Sequence, residues 1–271
     1  MGVGKGWGMK RICSLMVFLA VLCTGLLAVA ADGGMGRITG TLQKKTGEPM
    51  ANGTLFLFNE KTGPPPAPEK YWRVPDEIVP LDADGKFVVE VRPGTYFLGA
   101  IKRIAGEELG APNEGDYFLA NRDKKGNLRK YAVKAGETTD LGTLAQGIPF
   151  KKAKQLTTGS ITAIEGTVLD EAGKPVERAL VFAFLSPTMV GKPLFVSKRT
   201  GDDGKYLLMV DKGGTYYLKT REVFGGGAPK PGEIIGGYGE REPAPVKVET
   251  GKTVKGIDLK VIHFKGRGPN Q

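Results

Sequence analysis

The feature that most restricts what this chain can fold into is a match of the sequence to itself. Ile38-Thr39-Gly40-Thr41-Leu42 recurs as Ile164-Glu165-Gly166-Thr167-Val168, an offset of 126 (164 − 38). At the same offset Gly47-Glu48-Pro49-Met50 returns as Gly173-Lys174-Pro175-Val176, and Leu55-Phe56-Leu57-Phe58 as Val181-Phe182-Ala183-Phe184. Asp84-Gly85-Lys86-Phe87 then matches Asp203-Gly204-Lys205-Tyr206, Gly94-Thr95-Tyr96 matches Gly214-Thr215-Tyr216, and Ala135-Gly136-Glu137-Thr138 matches Thr250-Gly251-Lys252-Thr253. Blocks in a conserved order define two copies of one unit.

Each block has a physical meaning. Phe87, Val89 and Val91 alternate with Lys86 and Glu90, the period of two of a half-buried strand, and Tyr206, Leu208 and Val210 repeat it. Asp84-Gly85 and Asp203-Gly204 are tight-turn dipeptides. Pro93-Gly94 and Gly213-Gly214 are short turns that predict a hairpin between the strands on either side. No apolar period of 3.6 persists over a dozen positions, so little helix is expected. Many short strands with frequent turns predict an all-β sandwich.

This order of strands and turns resembles the carboxypeptidase regulatory-like domain of the transthyretin-like group. The resemblance implies two tandem seven-stranded Greek-key β-sandwiches of transthyretin-like or Ig-like type, covering nearly the whole chain after its N-terminal segment. It says little about function, because one sandwich hosts many roles. The second copy has Lys212-Gly213 where the first has Arg92-Pro93, which leaves the local turn type open. The expected division is residues 1–31 as a signal peptide, 32–146 as the first sandwich, 147–158 as a linker and 159–271 as the second.

Residues 1–31 read as a secretion signal: Lys5, Lys10 and Arg11 precede an apolar stretch from Ile12 to Cys23, and Ala28-Val29-Ala30-Ala31 ends it. Cleavage after Ala30 or Ala31 would leave no stable membrane span, and would lower the formal charge from +10 to +7 by removing three cations. Cys13 and Cys23 both lie in this segment, so the exported chain is expected to lack disulfides and thiolate chemistry. The expected location is the periplasm, the cell surface or the extracellular space. The mixed surface charge argues against a nucleic-acid partner.

Catalytic chemistry is poorly supplied. His263 is the only histidine, so a nucleophile–histidine arrangement has one place to form and an ordinary zinc site lacks ligands. Asp82, Asp84, Asp202 and Asp203 read as turn formers rather than a calcium loop. The glycine-rich stretch from Gly225 to Gly239 carries Pro229 and Pro231, which forbid the helix a phosphate loop needs. No catalytic residue, metal ligand or cofactor is expected, and the chain reads as a non-enzyme.

Binding residues are sought in the long loops. Gly63-Pro64-Pro65-Pro66-Ala67-Pro68 is a stiff segment, followed by Tyr71, Trp72 and Arg73, residue types that dominate interface hot spots. A competing possibility is that Tyr71 or Trp72 plugs an open end of the sandwich. Tyr238 in the second copy is a weaker candidate. The expected partner is a protein or a surface assembly reached through loops or edge strands. The alternative is a carbohydrate-binding module in which Tyr71 and Trp72 stack on a sugar face.

Overall fold

The computed structural model describes residues 1–4, 34–106, 109–151, 161–225 and 227–266. Apart from its first four residues, the segment read as a signal lies outside the described residues, as does most of the expected linker.

The first copy forms eight strands: β1 (Gly36–Lys44), β2 (Thr54–Asn59), β3 (Glu77–Pro80), β4 (Lys86–Val91), β5 (Gly94–Lys102), β6 (Tyr117–Ala120), β7 (Tyr131–Val133) and β8 (Thr138–Pro149). The second forms nine: β9 (Thr162–Leu169), β10 (Leu180–Phe184), β11 (Phe195–Val196), β12 (Lys205–Val210), β13 (Gly214–Arg221), β14 (Ile234–Gly237), β15 (Val246–Val248), β16 (Thr253–Val254) and β17 (Leu259–His263). No helix occurs among the described residues.

Two paths of seven strands run in the same order, β3-β2-β5-β6-β8-β1-β4 and β11-β10-β13-β14-β17-β9-β12. In each, a short extra strand, β7 or β15, pairs with the Gly-Thr-Tyr block that opens β5 or β13. The last strand runs parallel to the first in both copies. It is continuous in β8 and divided into β16 and β17 in the second. These are two tandem β-sandwiches. β8 extends to Pro149, into the stretch read as linker, and its Ile148 pairs with Phe118.

Alternation decides which side chains enter each core. Ile38, Leu42, Leu55, Leu57, Phe87 and Leu98 fill the first; Ile164, Val168, Val181, Tyr206, Leu208 and Leu218 fill the second. The Asp-Gly turns form as read, with Gly85 at φ 74° and Gly204 at φ 65°, where a Cβ would be strained.

The expected hairpin over Pro93-Gly94 does not form, nor does its counterpart. β4 pairs with β1 while β5 pairs with β2, so the turn carries the chain from one sheet to the other. Turn length alone cannot separate a hairpin from such an arch, because both directions leave apolar residues facing one core. A buried tyrosine pins the arch: the Tyr96 hydroxyl donates to the Arg92 carbonyl at 2.8 Å, and Tyr216 donates to Lys212 at 2.8 Å. In the second copy Gly213 permits a close approach, since a Cβ there would lie 2.6 Å from the Thr250 nitrogen.

Candidate functional site

Strand β10 is buried on both faces. Val181 and Ala183 enter the second core, whereas Leu180, Phe182 and Phe184 join a separate cluster with Val74 and Val196, against which Trp72 and Phe224 pack. Val74 and Trp72 belong to the first copy. Both sandwiches lie within one compact unit, Gly33–Gln271, and this cluster forms the seam between them.

The seam begins as strand pairing. The Val74 N–H donates to the Leu194 carbonyl at 2.9 Å and the Val196 N–H to the Trp72 carbonyl at 3.0 Å, flanking an antiparallel bridge of Arg73 with Phe195. Residues 72–74 thereby cover the outer edge of β11 and satisfy backbone groups otherwise open to strand addition. Continuing the register sets Pro75 opposite Pro193 and Asp76 opposite Lys192. Lys192 Nζ donates to the Asp76 carbonyl and sits 3.5 Å from Asp76 Oδ1.

The two segments are equivalents. Leu57 pairs with Glu77 in the first copy and Ala183, its counterpart, pairs with Phe195 in the second, so Glu77 corresponds to Phe195 and Pro75 to Pro193. The segment that leads into β3 therefore runs antiparallel to the one that leads into and forms β11, with the two prolines opposite each other. Proline suits such a place because it has no N–H to leave unpaired.

Tyr71 is buried in the second sandwich's core, 5.3 Å from the Phe195 ring in an edge-on arrangement. Its hydroxyl donates to the Pro65 carbonyl at 2.7 Å. Its pKa is pushed up to about 12, by burial first and then by the negative charge of Asp211. Arg73, with a side chain only 1% exposed, donates to the carbonyls of Pro64 and Asn59 at 2.6 Å each, to Thr62 Oγ1 at 2.7 Å and to Asp76 Oδ2 at 2.9 Å. Burial pulls its pKa down and the Asp76 carboxylate opposes that. The guanidinium also lies over the Phe58 ring at 5.5 Å. The stiff proline segment does dock, and what it docks on is the chain's own Tyr71 and Arg73.

Trp72 is half-buried, with Phe118 at 6.4 Å and Phe150 at 6.3 Å between ring centroids. Beside it lies a largely apolar cavity of about 60 Å³, lined by Phe56, Phe58, Trp72, Phe118, Val196 and Phe224 among others. Tyr238 lies elsewhere, partly buried against the second core, with its N–H donating to Leu218. The structure thus joins Tyr71, Trp72 and Arg73 in one seam and leaves Tyr238 outside it. His263 is exposed, its Nδ1 3.1 Å from the Gly232 carbonyl oxygen. Among the described residues no group of three or more histidines, cysteines or carboxylates is placed to hold a metal ion.

Sequence reading missed the aromatic partners Phe118, Phe150, Phe195 and Phe224. A signal existed in Leu180-Val181-Phe182-Ala183-Phe184, whose lack of alternation belongs to a strand covered on both faces.

The seam covers β11 through residues 72–74, which precede β3; no strand pairs with the far sides of β3, β4 or β12 among the described residues. Val88 on β4 is 64% exposed and Leu207 on β12 is 40% exposed.

No family model matches the chain, and no curated protein matches it. Among solved structures it is similar to the Bacillus anthracis TIE protein, at 18% identity and a TM-score of 0.25, over 84% of this chain and 34% of that one. A streptococcal ancillary pilin gives 10% identity and a TM-score of 0.26, over 84% and 63% of the two chains. A DUF3823 family protein from Bacteroides uniformis gives 11% and 0.26, over 78% and 98%. This chain therefore spans about a third of the TIE protein and less than two thirds of the ancillary pilin. Likenesses this distant leave the function to be argued from the chain's own residues.

Proposed function

We propose that this chain is an exported, non-catalytic module of the cell envelope or exterior, built from two carboxypeptidase regulatory-like sandwiches, that engages protein through its free sheet edges. The observation that carries this reading is the uneven use of edges. The seam covers the β11 edge of the second sandwich and buries the strongest recognition residues, Tyr71 and Arg73. The outer strands β4 and β12 pair with no strand on their far sides among the described residues, and they carry apolar residues on their solvent faces. An unpaired strand offers a row of amide groups to an incoming strand, and its alternate side chains supply selectivity.

The test is site-specific photo-crosslinking in the source cell, with a photoreactive residue at Val88 or Leu207 and a control at exposed Val223. Protein adducts from both edge positions, absent from the control and located outside the cytoplasmic fraction, are expected. Absence of adducts from both edges, or retention in the cytoplasm, would overturn the reading.

A further inference from the structure

The two sandwiches share a core pattern and differ on the outer face of the sheet that contains β5 or β13. We propose that this face of the second sandwich binds an acidic polysaccharide. The site lies apart from the free edges, and only the choice among polyanions rests on the exported location read above.

Alternation decides which side chains face outward. Tyr216 and Leu218 enter the second core, so Tyr217, Lys219 and Arg221 project from the opposite face of β13. Their equivalents 120 positions earlier (214 − 94) are Phe97, Gly99 and Ile101. In the first copy Gly99 and Ile101 line the apolar cavity beside Trp72. The inward residues Tyr96 and Leu98 have the same identities in the second copy, whereas the outward glycine and isoleucine positions carry cations there.

The strand register adds two further lysines. Lys219 stands opposite Gly237 on β14, and Gly237 stands opposite Lys260 on β17, so the two lysines share a face and flank a glycine. Their backbones lie two strand spacings apart, about 10 Å. Gly237 keeps the floor between them bare, and a Cβ there would lie 2.5 Å from the Leu218 carbonyl oxygen. Lys247 stands opposite Thr215 on the same face. It is one strand over and four residues along from Lys219, roughly 14 Å away. Tyr217, half-buried, lies on β13 between Lys219 and the Thr215–Lys247 pair.

These charges are uncompensated. Arg221 is paired with Glu233 at 2.7 Å, and Asp258 accepts from the Thr167 N–H at 2.9 Å. Lys219, Lys247 and Lys260 have no hydrogen-bond or ion-pair partner among the described residues. Strand lysines elsewhere do: Lys86 pairs with Asp84 and Lys205 with Asp203.

Spacing and surface select the occupant. One small anion reaches the two lysines beside Gly237 and leaves Lys247 unused, whereas an extended polyanion meets all three. A lipid surface is recognised by clusters of roughly four to eight cations, more than this face supplies. Outside the cytoplasm nucleic acid is not the polyanion at hand. A sugar ring has an apolar face and polar edges, and this sheet offers the Tyr217 ring between lysines, with Ile262 exposed in the next row.

The experiment titrates the full chain with a galacturonate hexamer by isothermal calorimetry. Saturable binding is expected at low ionic strength, weakened at least tenfold at about 0.5 M salt. Lys219→Gln, Lys260→Gln and Lys247→Gln should each weaken it by about fivefold, and Tyr217→Ala by a similar factor. Lys124→Gln, an exposed first-copy lysine, should leave it unchanged. These side chains are at least partly exposed, so the variants should fold, and circular dichroism checks that they do. No binding, equal binding of a neutral galactose hexamer, or equal loss with Lys124→Gln would each overturn the proposal. Tighter binding of a glutamate hexamer or of anionic vesicles would also overturn it, by assigning the face to protein or lipid. Cross-linking at Val88 and Leu207 does not involve the three lysines, so the edge reading and this one can fail separately.

Discussion

The same loop does opposite things in the two copies. In the first, the segment before β3 buries Tyr71 in the neighbouring core and ties Arg73 to four oxygens. In the second, the segment before β11 leaves Leu185 63% exposed and Val190 82% exposed. The cores are closely alike, so a shared sandwich does not dictate what its loops do. One loop crosses the seam and covers its neighbour's edge, whereas the matching loop leaves the far side of β3 without a strand partner among the described residues. A symmetric ancestor of the contact would leave both loops equal; here the hydrogen bonds run through Val74 and Val196, and Lys192 contributes only its side chain.

The contrast can be broken in stages, beginning with the change of greatest effect. Tyr71→Ala empties a large buried site between two cores and should cost about 4 kcal/mol, with chemical unfolding splitting into two transitions. A single unsplit transition at near-native stability would remove Tyr71 from its role as the link. Arg73→Ala leaves the Asp76 carboxylate without its main cation and strands several carbonyls, and should cost about 3 kcal/mol by urea unfolding. Tyr71→Phe removes only the hydroxyl and should cost about 1 kcal/mol near neutral pH.

That last difference carries a pH signature. The folded-state pKa of Tyr71, about 12, lies above the unfolded value near 10. Between these values the folded protein holds the proton that the unfolded chain releases, so this contribution is complete below about pH 10 and falls as pH rises towards 12. The stability gap between the unmodified chain and Tyr71→Phe should narrow over that window; a constant gap would contradict the burial of the hydroxyl. The smallest effects belong to the second copy, where Leu185→Ser and Val190→Ser should change stability by less than about 0.5 kcal/mol. Trp72 emission should likewise stay constant on titration with polysaccharides, and a saturable change would revive a glycan role for the first loop.

Much of this was readable from the residues alone. The repeat blocks fixed two copies, period-two alternation selected core residues such as Phe87 and Tyr206, and the Asp-Gly pairs placed turns that the backbone confirms. These are local properties, and adjacent residues decide them. Tyr71, Trp72 and Arg73 were legible as a special cluster, because a proline run beside two aromatics and an arginine is unusual composition. Whether such a cluster faces solvent or a neighbour depends on what lies across from it, and Phe195 and Leu194 are more than a hundred positions away in the chain. For the same reason only tertiary structure could show that Pro93-Gly94 crosses between sheets: an arch and a hairpin satisfy the same turn chemistry, and the choice rests on which strands find β1 and β2 as partners. Sequence determined the unit and its duplication. The pairing of edges, which buries one surface and leaves another open, was decided by how the two units meet.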